Sequence, residues 1–317
     1  NIYSPMNLHQ FRFVQEAVRR QLNLTETAKA LHTSQPGVSK AIIELEEELG
    51  IEIFKRHGKR LQKITEPGHE VLKCIEIVMR EIHNMKKIGG QYSAKKTGTL
   101  SIATTHTQAR YVLPGPVTKL RQEYPDVNVS LHQSSPDQVA KMLINEVADI
   151  GIATEALDNY HELITLPCYE WEHVLVFPLH HPLCNKNRIT LEDIAREPII
   201  TYHPDYTGRT KIDLAFSNHQ LNPRIALEAI DSDVIKTYVR LGLGVGIAAE
   251  MSFRDSNHSF EKQDLVIRPA GELFGKNITR IAFKRGAYLR NFVYHFAELL
   301  SDHLTKEVVD REMSRPL

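Results

Sequence analysis

Two stretches carry side chains suited to chemistry on nucleic acid. In TSQPGVSKAIIELEEELG (33–50), Thr33, Ser34, Gln35, Pro36, Ser39 and Lys40 crowd the start of a helically spaced segment, and Glu44, Glu46, Glu47 and Glu48 crowd its end. Gln35 is able to bond an adenine edge at two atoms, Ser39 a base or a phosphate, and Lys40 a guanine or a phosphate. The dipole at a helix start adds attraction for phosphate. In IFKRHGKRLQKIT (53–65), Lys55, Arg56, Lys59, Arg60 and Lys63 occur without one acid. Alone, such a run is as readily a solvated face; directly after 33–50 it reads as phosphate contact. The expected DNA-contacting set is Thr33, Ser34, Gln35, Pro36, Ser39, Lys40, Arg56, Lys59 and Lys63.

Other chemistries find less support. Cys74, Cys168 and Cys184 form no CxxC pair, and thiols near apolar runs are more often inert core than nucleophiles. HExxH and GxSxG are missing, and His180-His181 before Pro182 reads as a turn. GLGVG (242–246) imitates part of a dinucleotide fingerprint, but it follows a helix and leads into a strand, the reverse of the phosphate-cradling order. No catalytic residue, metal ligand or cofactor is expected. An enzyme is the first rival reading. An exported solute-binding protein is the second, opposed by the lack of an export signal and by the N-terminal module.

Specific elements must hold the first set of residues in place. Val38, Ile42, Leu45 and Leu49 form the inward stripe of a helix over 33–50. Pro36 is tolerated in a first turn, where amides lack helical partners, and Thr33 or Ser34 caps it. Upstream, Leu8, Phe11, Val14 and Val18 share one helical face, TETAKAL forms a short helix with small Ala28 and Ala30, and HTS makes the turn. That is a helix-turn-helix. It exposes Gln35, Ser39 and Lys40, while the glutamates, two or three turns later, stay outside the groove. His57-Gly58 then turns a β-hairpin wing, completing a winged helix-turn-helix over 6–65. Val71, Ile75, Val78, Ile82 and Met85 repeat at four and three, an a/d seam that predicts a dimerising linker helix over 66–93.

Gly89-Gly90 and SAKKTG (93–98) predict a hinge. Beyond it, strand-like LSIATTH, VNVSLHQ, ADIGIAT, HVLVFP, PIITY, RIALEAI, GVGIAA, LVIRPA and ITRIAFK alternate with helices around TQARYVLPGPVTKL, 136–146, 190–196, 210–219, 232–241 and 288–304. Such alternation predicts mostly parallel α/β sheets. Residues 94–317 suit a domain of two lobes with a cleft, lobe I near 94–168 and 269–317, lobe II near 169–268. Trp171 is a cleft wall or core, and Arg209 an exposed structural pair.

Composition bounds the reading. The 317 residues suit two or three domains, and 42% apolar with 25% charged residues is ordinary for a globular protein. Formal net charge is zero, which excludes a global pull towards polyanions and requires local asymmetry instead. No run of eighteen apolar residues occurs, so a cytoplasmic protein without membrane contact is expected, and its Asn-x-Ser/Thr triplets at 23, 128, 257 and 277 are taken as chance. NIYSP before Met6 is set aside as an appended leader.

TSQPGVSKAIIELEEELGIEIFKR and ITEPGHEVL resemble the signature helix and linker entry of the LysR-type bacterial transcription regulators. IATTHTQARYVLP, IATEAL, LPCYEW, TGRT and DVIKTYVRLGLGVG are similar to its CysB/Cbl-like branch. The resemblance spans essentially the whole chain. It implies an effector domain like a periplasmic binding protein, a homodimer through the linker helix, a homotetramer built as a dimer of dimers, and double-stranded promoter DNA and RNA polymerase as partners. It also implies control of sulfur assimilation and cysteine biosynthesis genes by sulfate, thiosulfate, N-acetylserine or O-acetylserine. Carried over residue by residue, it points to Thr105, Thr107, Gln108, Thr154 and Thr207 as the effector site. These neutral groups suit a small anion held by hydroxyls, amides and helix starts. Any one of the threonines alone is more often a cap or strand-end residue. The alternative is a LysR-type regulator of another pathway with a different small anion. YHPDYTGRT and the stretch Phe253–Phe260 fit the branch pattern least and leave effector preference open.

Overall fold

The computed structural model describes residues 5–93, 97–254 and 264–317. The middle of the expected hinge SAKKTG, most of NIYSP, the Asn257 triplet and residues 255–260 of the unfamiliar stretch lie outside the described residues. The chain divides into two compact units, Asn1–Gly89 and Gly90–Leu317.

The first unit begins with α1 (Leu8–Arg19), opened by a capping box between Asn7 and Gln10. Next come α2 (Leu24–Ala30) and α3 (Gln35–Leu49), the hairpin β1 (Phe54–His57) and β2 (Arg60–Ile64), and α4 (Glu66–Tyr92). Val14, Val38, Ile42 and Leu45 are fully buried together, with Ala28, Phe54 and Leu61 around them. Leu8 is the exception on the α1 face, half exposed at the helix start. Thr65 joins wing to linker: its Oγ1 accepts from the Gly68 amide at 2.9 Å. Gly68 itself has no room for a side chain, since a Cβ there would meet the Ile53 carbonyl oxygen at 2.2 Å.

The expected seam on α4 divides. Ile75 is buried in the core of its own unit, with Val71 packed against it. Val78 and Met85 are exposed, as are Ile77 and Ile88 off the seam. The first part of the repeat is thus an intradomain stripe, because α4 leaves the small domain core only after Met79.

The second unit holds β3 (Gly98–Thr104), α5 (His106–Tyr111), α6 (Pro114–Glu123), β4 (Val127–Gln133), α7 (Pro136–Ile144) and β5 (Ile150–Ala153). It continues with β6 (Leu163–Pro178), α8 (Leu191–Ala195), β7 (Ile199–Tyr202), α9 (Arg209–Asn218), β8 (Ile225–Ala229), α10 (Ser232–Arg240) and β9 (Val245–Ala249). It closes with β10 (Leu265–Pro269), α11 (Gly271–Phe274), β11 (Lys276–Lys284), α12 (Asn291–Leu300) and α13 (Lys306–Met313). Strand order is β4-β3-β5-β11-β6-β9-β7-β8, with β10 also on β6. One apolar core gathers Leu100, Ile102, Leu166, Ile281 and Phe296; another gathers Leu175, Phe177, Ile199, Phe216 and Phe274.

Three sequence expectations need correction. The sheet is mixed rather than mostly parallel: β3 runs parallel to β4 and β5, and β7 to β8 and β9, but β11 is antiparallel to β5 and β6, and β6 to β9 and β10. HVLVFP is only the end of the 16-residue β6, which also contains LPCYEW. Pro167 hid that continuity; it is tolerated because the ladder bulges there, the register skipping between Thr279 and Arg280. And TQARYVLPGPVTKL makes two helices, parted at Val112 and Leu113, since Pro114 ends one and starts the next. GLGVG does follow a helix and enter a strand, and residues 179–180 do turn.

Candidate functional site

The first site lies on α3 and the hairpin. Ser34 caps α3, its Oγ accepting from the Gly37 amide at 3.2 Å, with Pro36 in the first turn. Thr33 and Lys40 are exposed, Gln35 and Ser39 half-buried. Lys40 stands 3.8 Å from Glu44, a solvent-exposed pair too weak to hold it away from a phosphate. Glu46 is buried, and its Oε2 accepts from the amides of Ile53 at 2.7 Å and Phe54 at 3.3 Å. Its other oxygen takes Arg56 Nη2 at 3.4 Å, while Arg56 Nη1 donates to Ser39 Oγ at 3.3 Å. Arg56 therefore ties the hairpin to α3 rather than standing free.

The hairpin concentrates like charge. Lys55 lies directly across from Lys63, with Lys59 and Lys63 exposed. Like charges facing each other across a strand pair destabilise it. A polyanion laid along the hairpin relieves that repulsion.

The second site lies where the two cores of the larger unit meet. Strands β3 and β5 are parallel neighbours, pairing Thr104 with Ile152, so Thr105 and Thr154 emerge side by side at one sheet end. Both residues begin helical turns, yet neither hydroxyl caps its own helix. Thr105, Thr107 and Gln108 are buried, and Gln108 Nε2 reaches Thr279 Oγ1 on β11 at 3.4 Å. Thr107 Oγ1, Gln108 Oε1 and Trp171 Nε1 are buried with no hydrogen-bond partner among the described residues. Buried polar atoms are normally paired, so such a group of orphans marks a place for a ligand. Trp171 is 2% exposed, packed with Ala249 and Met251 and flanked by Tyr111 and Tyr169.

An interlobe cavity of about 530 Å³ opens between Thr154 and Glu155 on one side and Tyr206, Gly208 and Lys211 on the other, backed by Asn277 and Ile278. Thr154 lines it and Thr207 adjoins it. Thr105, Thr107 and Gln108 do not line it, and Gln108 reaches Thr279, in the same strand as Asn277. A larger cavity, about 820 Å³, lies away from these residues, among Glu172, Arg188, Glu192, Arg268 and Glu272. Arg268 is engaged there by the carbonyls of Lys186 and Cys184 at 3.1 and 3.2 Å, and none of the expected effector residues lines it. The smaller cavity is the candidate.

Sequence reasoning missed two residues here. His173 is fully buried, and Asn277, across from Trp171 in the ladder, is 4% exposed. A polar residue heading the otherwise apolar run HVLVFP was the available signal for His173. Arg209 is buried, not exposed, and is held by Asp213 at 2.8 Å, Glu228 at 3.2 Å and the Tyr202 carbonyl at 2.6 Å. It supplies no free charge to the cleft. His106, Asp231 and Asp233 bring ligand-type atoms within 4.8 Å of one another. However, Asp231 caps α10, Asp233 accepts from Tyr111, and the Lys236 ammonium lies 3.9 Å from Asp233. This is an ion network, not a metal cage. Burial pushes the Cys168 thiol up to about 12, so it is no nucleophile.

A DNA-reading fold joined to a two-lobed α/β sensor defines a class, and the comparisons agree. Residues 8–69 match the family described as bacterial regulatory helix-turn-helix protein, lysR family, and residues 93–305 the LysR substrate binding domain. The chain belongs to the LysR family of bacterial transcriptional regulators and is not an enzyme. Within that family it is similar to CysB and Cbl. It is 53% identical over 308 residues to the HTH-type transcriptional regulator CysB of Burkholderia cenocepacia, covering 97% of each chain. It is 44% identical to the regulator cbl of Escherichia coli over 308 residues, covering 97% and 96%. Its structure matches the cofactor-binding domain of the Cbl transcriptional regulator with TM-score 0.66 and 43% identity, over 69% of this chain and 95% of that one. Full-length OxyR of Pseudomonas aeruginosa shares the fold, with TM-score 0.66 at 18% identity over 93% and 97%. Among the described residues no helix is long and apolar enough to cross a membrane.

Proposed function

We propose that this regulator controls sulfur assimilation and cysteine biosynthesis genes from the cytoplasm, responding to a small sulfur-related anion of the sulfate, thiosulfate or acetylserine type. Residues 6–65 read promoter DNA, 66–93 join protomers into a dimer and then a tetramer, and 94–317 sense the effector and bias contact with RNA polymerase. Thr33, Ser34, Gln35, Pro36, Ser39, Lys40, Lys59 and Lys63 meet the duplex; Arg56 contributes through Ser39. The effector is held by Thr105, Thr107, Gln108, Thr154 and Thr207. The observation that carries this reading is the pair of orphaned buried donors, Thr107 Oγ1 and Trp171 Nε1, beside an interlobe cavity. Hydroxyl and indole donors suit a compact oxyanion, because bonds to a charged acceptor are roughly twice as strong as neutral ones. Binding there closes the lobes and changes the angle between DNA-binding dimers.

The test is calorimetry of the full chain with sulfate, thiosulfate, N-acetylserine and O-acetylserine, paired with gel shifts on a dyad-containing promoter across a salt series. Saturable binding of one anion, and a promoter affinity falling steeply with salt, are expected. A chain that binds none of the four sinks the effector assignment, and a flat salt response sinks the DNA assignment.

A further inference from the structure

Behind the cavity wall stands a histidine that no expected site includes. His173 is the first residue of β6 to pair with β9, opposite Ala249, while Glu172 before it still pairs with Lys276 of β11. It therefore sits where the ladder passes from one lobe to the other. Its ring is fully buried. It stands edge-on to Trp171, with centroids 4.9 Å apart, and to Phe274 at 6.0 Å.

Both ring nitrogens are committed. Nε2 lies 2.9 Å from the carbonyl oxygen of Thr207. A carbonyl only accepts, so Nε2 carries the proton and Nδ1 has the lone pair. Asn277 Nδ2 lies 3.4 Å from Nδ1 and donates to it, which also fixes the amide orientation. Burial keeps the ring neutral, pushing its pKa down to about 4.

What the histidine holds is a corner that the backbone does not favour. Thr207 has φ +42° and Gly208 φ +73°, and a threonine in the left-handed region is strained unless its surroundings fix it. Gly208 leaves no room for another residue, since a Cβ would meet Asn277 Oδ1 at 2.6 Å and His173 Cε1 at 2.7 Å. Gly208 and Asn277 are themselves lining residues of the interlobe cavity. The same ring thus touches the corner, the crossing strand and the tryptophan.

We propose that His173 is a positioning residue of the effector site: as a neutral donor it fixes the Thr207–Gly208 corner and couples anion binding to Trp171. It touches no effector itself. The proposal rests on the effector reading above, and it adds that lobe II presents Thr207 only while this buried hydrogen bond stands.

The test uses the full chain titrated with sulfate and with thiosulfate, read by calorimetry and by fluorescence of Trp171, the only tryptophan. His173→Leu removes the donor; His173→Gln keeps an N–H that reaches the Thr207 carbonyl. Expected is at least a tenfold loss of anion affinity in His173→Leu, recovery to within threefold in His173→Gln, and an anion-induced fluorescence change in the wild type that His173→Leu lacks. Promoter binding without effector should match wild type in both. Gly208→Ala crowds the same corner from the other side and should weaken the anion equally if His173→Leu does not fold. Wild-type anion affinity in a folded His173→Leu, or in Gly208→Ala, overturns the proposal. So does equal loss in His173→Leu and His173→Gln. A wild-type chain that binds neither anion, or a Thr207→Val variant that binds as well as wild type, removes the effector reading instead.

Discussion

At Thr107 the burial of a polar atom and the binding of a ligand make opposite demands. Its Oγ1 is enclosed at 1% residue exposure with no partner among the described residues. An unpaired buried hydroxyl costs about 1–3 kcal/mol. Thr107→Val keeps the shape and removes that cost. We expect unchanged or slightly higher thermal stability of the effector unit together with about a tenfold loss of anion affinity, one lost hydrogen bond to a charged group. Calorimetry and a melt on one sample separate the two; a stability loss without an affinity loss goes against the site. His173 makes a different demand. Unfolded, it takes a proton near 6.5; folded, only near 4. Between those values the unfolded chain binds more protons, so stability falls as pH drops through the window, by about 2 kcal/mol at pH 5. Urea midpoints at pH 7.5 and 5 should show this drop in the wild type and a smaller one in His173→Gln. Residue types and spacing made Gln35, Ser39 and the basic hairpin readable, because helix period and caps are local. The pairing of His173 with Asn277 was not readable, since their meeting across 104 residues depends on a bulged register that no local pattern encodes.

Among the elements, α3 and the hairpin act as one part. The bond from Glu46 to the Ile53 and Phe54 amides, and the Arg56 bridge from Glu46 to Ser39, set where the wing stands beside the helix. The inward stripe Val38, Ile42, Leu45 was plain in the sequence; Glu46, four residues after Ile42, sits at its edge, and its burial was not anticipated. Glu46→Gln keeps the size but loses the charge in three contacts. Hydrogen bonds to charged groups contribute about 1.5–3 kcal/mol. A loss of about 2 kcal/mol in the first unit is expected, with promoter affinity lowered more than the salt slope changes. Differential scanning calorimetry and gel shifts check both; a weaker salt slope at unchanged stability shows a direct phosphate role for Arg56 instead. Similarly, β6 was cut short in the sequence reading because Pro167 resembles a strand end, and only its bulge makes it an interior residue.

For the whole molecule, the divided repeat on α4 separates stability from association. Ile75 is 2% exposed and Met85 63%. Ile75→Ala should destabilise the first unit by about 2–4 kcal/mol. Met85→Glu should leave its melt unchanged but weaken self-association, as measured by sedimentation at micromolar concentration. An unchanged sedimentation profile for Met85→Glu places the protomer contact elsewhere. The position of β11 has a different consequence, during synthesis. It fills the gap between β5 and β6, yet it follows both of them in the chain, the last strand among the described residues. A nascent chain halted before residue 276 presents two unpaired strand edges, the kind of surface on which polypeptides join one another. Lobe I is made of two separate stretches of chain, so it cannot be matured before lobe II on the ribosome; its central seam is sealed only once β11 has followed.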